Sequence, residues 1–106
     1  MATKQQFQSF DELLTGTQTP VLVDFYATWC GPCQMMASIL NDVNSQLKGK
    51  LKVVKIDTDK YPRIASQHHV SALPTLVLFK AGQPVDRIEG VLTTDQLVAR
   101  LRPHLG

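Results

Sequence analysis

The sequence predicts an α/β domain in which a mixed β-sheet carries helices on both faces, and three stretches support that prediction. Val21-Leu22-Val23-Asp24-Phe25-Tyr26-Ala27 is a nearly continuous β-branched and aromatic run, the pattern of a central strand covered on both sides. After it, Cys33, Met36, Ala37, Leu40, Val43 and Leu47 fall at i, i+3, i+4, i+7, i+10 and i+14, a single apolar stripe of a long helix. Leu51-Lys52-Val53-Val54-Lys55-Ile56-Asp57 then reads as a second strand. Strand, crossover helix and strand make a βαβ unit, which requires parallel strands and a right-handed crossover.

The remaining elements follow from their caps and turns. Ser9-Phe10-Asp11-Glu12 has the spacing of a capping box, with Phe7, Phe10, Leu13 and Leu14 as the apolar face of a short first helix. Gly16 to Pro20 is a polar loop, and Gly49 ends the long helix. Pro62 opens a third helix with Ile64, Ala65 and His68 on its inner side, stopping near Val70. Thr75-Leu76-Val77-Leu78-Phe79 is a strand, Ala81-Gly82 a turn, and Val85-Asp86-Arg87-Ile88-Glu89 a half-exposed strand that Pro84 places at an edge. Thr93 and Gln96 form a second capping box, Leu92 and Leu97 a hydrophobic staple, and a last helix runs through Val98 and Leu101.

Length and composition bound the function without choosing it. The 106 residues are read as one domain, 1–106, large enough for a core without structural disulfides. A formal charge of +2 with interspersed signs leaves no basic stripe for nucleic acid or lipid headgroups. The apolar runs are far shorter than the ~20 residues of a membrane span, and Met1-Ala2-Thr3-Lys4-Gln5-Gln6 has no apolar targeting segment, so the chain reads as soluble and non-exported.

Chemistry is concentrated in Trp29-Cys30-Gly31-Pro32-Cys33, which holds both cysteines at the junction of strand and helix. Cys33 lies on the apolar stripe and faces inward. Cys30 precedes it at the helix start, where free N–H groups and the positive dipole end favour an anion. The expectation is one exposed, acidified thiol and one buried thiol. A thiolate there ionises more readily than the ~8.5 of free cysteine, and a value near ~7 suits attack on a disulfide. Cys30 would form a mixed disulfide with the substrate, and Cys33 would displace the reduced product and close an internal disulfide. Pro32, with φ already fixed, stiffens the first turn. A purely structural disulfide is the weaker explanation, because so small a loop constrains the unfolded chain little.

Asp24 is a carboxylate inside an apolar strand, where an unpaired charge costs several kcal/mol. Two readings stand on the pattern alone. It is either satisfied at a strand end or a carboxyl of raised pKa that takes the proton of Cys33.

WCGPC preceded by VLVDF, followed by LPTLVLFK and a later Glu89-Gly90, resembles the thioredoxin family over almost the whole chain. FYATWCGPCQ, VVKIDTDKYP and ALPTLVLFK are most similar to the y-type thioredoxins of plastids and cyanobacteria. The resemblance implies the thioredoxin fold, a sheet of about five strands flanked by about four helices, with an added N-terminal strand near Lys4-Gln5. It implies a protein-disulfide reductase with Cys30 and Cys33 as the redox-active pair, Asp24 below the resolving cysteine and Lys55 beside it. It further implies that Pro74 is a cis-proline setting Leu73 against the cysteines. Trp29, Gly31, Pro32, Ala72, Leu73, Gly90 and Val91 would then form with it a flat, mostly apolar surface for an extended substrate. Gly90 is expected because backbone must come close there.

The implied partners are a thioredoxin reductase, NADPH- or ferredoxin-dependent, and disulfide-containing targets such as peroxiredoxins or methionine sulfoxide reductases. The implied protein is a monomer without cofactor, working in a bacterial cytosol or a plastid stroma. Three positions depart from the family's commonest pattern. Tyr26 replaces a Trp, Ser38 replaces a helix-kinking Pro, and Glu89 puts a charge on a usually apolar rim. The rival chemistries fare worse. Zinc needs about four ligands, and His68 and His69 point roughly 100° apart on a helix. A c-type haem needs His where Gln34 stands, and an iron–sulfur cluster needs more cysteines. A docking subunit without thiol chemistry remains the alternative, opposed by the presence of both cysteines, Asp24 and Pro74 together.

Overall fold

A computed structural model describes residues 9–106. The elements are α1 (Phe10–Thr15), β1 (Val21–Tyr26), α2 (Gly31–Gln46), β2 (Lys52–Asp57), α3 (Pro62–Gln67), β3 (Thr75–Lys80), β4 (Gln83–Glu89) and α4 (Thr94–Leu101), with a 3-10 turn at Arg102–His104. The sheet order is β2-β1-β3-β4. β1 pairs parallel with β2 and antiparallel with β3, and β4 is an antiparallel edge strand, as its proline requires. Four strands are therefore present among the described residues. The fifth strand expected near Lys4-Gln5, and Phe7 of the first apolar face, lie outside them.

Side-chain alternation along β1 divides the core in two. Leu22 joins Met36, Leu40, Leu76, Leu97 and Leu101 beneath α2 and α4, whereas Val21, Val23 and Phe25 join Leu14, Val77 and Phe79 on the opposite face with α1. Asp24 shares the parity of Leu22 and so points under α2. Burial on both faces explains why this strand read as a continuous apolar run.

The capping box of α4 is complete, and the first helix shows the serine half of its own. Thr93 Oγ1 accepts from the Gln96 amide (3.2 Å) and Gln96 Oε1 from the Thr93 amide (3.0 Å), closing the box of α4. Ser9 Oγ accepts from the Glu12 amide at 3.1 Å. α2 ends at Gln46, earlier than Gly49 suggested, and runs unbroken through Ser38. Ala81 and Gly82 both have positive φ (52° and 80°), as a two-residue hairpin turn demands. A Cβ at Gly82 would lie 2.7 Å from Thr15 Cγ2, so the turn also has no room for a side chain.

His68 closes α3 with its ring between those of Phe10, Phe25 and Phe79, at centroid distances of 5.3, 5.9 and 5.5 Å. Burial holds its pKa below 6.5, outweighing the attraction of Asp11. As pH falls, the unfolded chain therefore protonates at this residue before the native state does, and native stability declines from pH 6.5 down to the folded pKa. His68→Gln removes that loss. Denaturant melts at pH 5 and pH 8 are expected to show a smaller acid-side decrease in the variant, whatever its offset from lost ring packing.

Candidate active site

The site forms where β1 gives way to α2. Cys30 is the N-cap, in extended conformation, and its sulfur accepts a hydrogen bond from the Cys33 amide at 3.2 Å. Pro32 sits in the first turn, where a missing N–H costs nothing. The sulfurs of Cys30 and Cys33 form a disulfide, with Cα atoms 5.2 Å apart. Cys33 is buried as its place on the stripe required. Cys30 is buried too, only 5% exposed, which corrects the expectation of an open thiol. In the disulfide its sulfur turns toward the helix, where the two cysteines cluster with Ala27 and pack against Tyr26 and Leu73.

The rim comes from distant parts of the chain. The Leu73-Pro74 peptide is cis. Thr75 Oγ1 donates to the Ala72 carbonyl (2.6 Å) and the Gly90 amide to the Pro74 carbonyl (2.9 Å), so these loops are fastened to each other beside the cysteines. Gly90 has φ +92°, while a Cβ there would meet nothing within 4 Å. Backbone conformation, rather than crowding, is thus what calls for glycine in this state. Ala72, Gly31 and Pro32 are exposed and Leu73 is half-buried, while Val91 turns partly inward against the core under α2 and α4. Glu89 is exposed and lies 3.5 Å from Arg87, whose guanidinium donates to the His68 and His69 carbonyls.

Trp29 is 70% exposed, and its indole N–H donates to Asp59 Oδ2 at 2.8 Å. Asp59 was not singled out from the sequence. It sits in a turn after β2 that Asp57 organises by accepting from the Asp59 and Lys60 amides, and the Asp-Thr-Asp run after an apolar strand was the available signal. Asp59→Ala is expected to release the ring, raise the substrate concentration needed for half-maximal rate severalfold and leave single-turnover chemistry nearly unchanged. Because Trp29 is the only tryptophan, its fluorescence polarisation reports the release directly.

Asp24 is 1% exposed, and neither carboxyl oxygen has a hydrogen-bond partner among the described residues. Burial pushes its pKa up to about 6, against the opposing pull of Lys55. It opens on a pocket of about 230 Å³ that Tyr26, Thr28, Cys33, Gln34 and Lys55 also line. Lys55 is its register neighbour on β2. Water can therefore stand between the carboxyl and Cys33.

A disulfide held across one helical turn, beside a carboxyl able to change protonation near neutral pH, is arranged for exchange with other disulfides rather than for bracing the fold. The class is that of the thiol–disulfide oxidoreductases. The family model described as Thioredoxin matches residues 2–103, and the chain belongs to the thioredoxin family. It is similar to a thioredoxin-like protein of a Synechocystis species, 63% identical over 102 residues, 96% of this chain and 97% of the relative. A chloroplastic thioredoxin Y of Arabidopsis thaliana is 58% identical over 104 residues, covering 98% of this chain but 60% of that protein. Thioredoxin 1 of a Nostoc species is 43% identical over 97 residues, 92% of this chain and 91% of the relative.

Proposed function

We propose that this chain reduces disulfides of target proteins through Cys30 and Cys33, with Asp24 as the proton acceptor of the second step. The observation that carries the reading is the disulfide between the N-cap Cys30 and the inward Cys33. In the reduced protein the Cys30 thiolate attacks a substrate sulfur; the substrate S–S bond breaks and a mixed disulfide forms. Cys33 then gives its proton to Asp24 and attacks the Cys30 sulfur. The Cys30–substrate bond breaks, the second substrate thiolate leaves and takes a proton from solvent, and the internal disulfide closes. Two electrons have passed from the cysteine pair to the target. Trp29, Ala72, Leu73, Pro74 and Gly90 present the apolar platform, and the peptide groups of Leu73 pair with an extended substrate.

Electrons return from a thioredoxin reductase, NADPH- or ferredoxin-dependent, and the targets are peroxiredoxins or methionine sulfoxide reductases. The likeness to Synechocystis and chloroplast proteins supports a cyanobacterial cytosol or a plastid stroma as the setting. Among the described residues no helix is long and apolar enough to cross a membrane. The test is a Cys33→Ser column loaded with a cyanobacterial lysate. Dithiothreitol-released peroxiredoxin or methionine sulfoxide reductase supports the targets; the same proteins retained by a variant lacking both cysteines would instead indicate docking without thiol chemistry.

A further inference from the structure

We propose that Tyr26 is a positioning residue for the resolving step: its ring holds the Lys55 ammonium at the mouth of the Asp24 pocket and thereby controls how readily Asp24 takes the proton of Cys33. The proposal rests on the role given to Asp24 above. Register places the Cα atoms of Asp24 and Lys55 side by side, but it does not place the ammonium. Lysine has a flexible four-carbon stem and a strongly hydrated head, and Lys55 is exposed. Unheld, the charge would stay in water.

Tyr26 supplies the hold. Lys55 Nζ lies 5.7 Å from the centroid of its ring, within cation–π range. The ring is itself well anchored. The Tyr26 carbonyl accepts from the Thr58 amide (2.9 Å) and the Thr58 hydroxyl (3.0 Å), and the half-buried side chain packs on the cluster of Ala27, Cys30 and Cys33. Tyr26 and Asp24 are two residues apart on β1, so they share a face. Both line the pocket with Lys55.

Among the described residues the remaining surroundings of the pocket offer Asp24 no second cation. From α2 come Cys33 and Gln34, from the loop after β1 comes Thr28, and the β3 neighbour is Leu76. On β2, Asp57 is of opposite sign to Lys55, and its Oδ1 is taken by the Asp59 and Lys60 amides. Lys55 is thus the charge that opposes the burial of Asp24 and keeps part of it ionised near neutral pH. A carboxyl that is already protonated cannot accept the proton of Cys33, so the placement of the ammonium sets the rate where Asp24 titrates.

The experiment follows the Asp24 carboxyl by ¹³C NMR across pH, alongside single-turnover resolution of a mixed disulfide, in Tyr26→Phe, Tyr26→Leu, Lys55→Gln and the Tyr26→Leu/Lys55→Gln pair. Tyr26→Leu is expected to raise the Asp24 midpoint by roughly half a pH unit and to slow resolution about twofold at pH 6, with little effect at pH 8. Tyr26→Phe should behave as wild type, since it keeps the ring. In the Lys55→Gln background Tyr26→Leu should add nothing. An unmoved midpoint in Tyr26→Leu, or an equal shift with Lys55 absent, overturns the proposal. A moved midpoint with unchanged resolution overturns the Asp24 reading beneath it. Wild-type protein gives a check independent of how the variants fold: the Lys55 ε-methylene protons should be shifted upfield by the ring, and random-coil positions would count against the contact.

Discussion

Cys30→Ser is expected to bring dithiothreitol-driven reduction of insulin disulfides down to the uncatalysed rate, whereas Cys33→Ser should accumulate one covalent substrate adduct per molecule. The difference follows from position. Cys30 terminates the helix with its sulfur directed at the Cys33 amide, so the reduced protein has a ready N–H donor for a thiolate at this atom and the helix dipole behind it. Cys33 lies one turn inside, against the core, and can reach only a sulfur already brought to Cys30. Serine at position 30 removes the attacking atom. Serine at position 33 leaves the attack intact and removes the atom that would release the product. Mass spectrometry of the adduct and a turbidity assay separate the two cases. Rapid alkylation of the reduced wild type should modify Cys30 first, and modification of Cys33 first, or equal turnover by Cys30→Ser, would reverse the assignment.

The parts of the site that could be read from the chain were those in which chemistry and periodicity coincide on neighbouring residues. Cys30, Cys33 and Asp24 all lie within one strand-to-helix junction, where a two-residue period passes into a helical one, and the burial of Cys33 and Asp24 followed from that change. The loops were legible only through resemblance. Nothing local to Ala72-Leu73-Pro74 points to Gly90, because the Gly90–Pro74 hydrogen bond depends on the antiparallel pairing of β3 with β4. The clasp of Asp59 on Trp29 joins residues 30 positions apart and depends on the parallel pairing of β1 with β2. The exposure of Cys30 was misjudged for a different reason. Helix-start position describes the thiol, whereas in the disulfide the sulfur is drawn into the cluster with Ala27 and Cys33. At Gly90 the structure adds a second reason for glycine, its φ of +92°, which the expectation of a close backbone approach by substrate did not include.

Asp24→Asn should stabilise the protein near neutral pH while slowing the release of product. A carboxyl lifted from 3.8 to about 6 by burial binds its proton more tightly in the native state than in the unfolded chain. Below pH 3.8 both states are protonated and the residue costs nothing by ionisation. Between 3.8 and about 6 the unfolded chain ionises first, and native stability falls as pH rises; above about 6 the loss is complete. Its full size is about 3 kcal/mol. An amide at the same place has no charge to desolvate but leaves polar atoms unpaired, which returns about 1–2 kcal/mol of the gain. The variant is therefore expected to be about 1–2 kcal/mol more stable than wild type at pH 8, an advantage that shrinks as pH falls and reverses below about pH 4, where only the amide's cost remains. Denaturant melts across pH measure it. Kinetically, wild-type resolution should accelerate as pH passes through about 6, where Asp24 becomes able to accept the proton of Cys33. In Asp24→Asn that rise should be absent and resolution should be slower by roughly 10²-fold at pH 7, while the first attack by Cys30 proceeds at nearly the wild-type rate. Stopped-flow fluorescence of Trp29 during reduction of a model disulfide resolves the two phases. Unchanged resolution together with lower stability would make Asp24 an ordinary satisfied carboxylate and send the Cys33 proton to water directly.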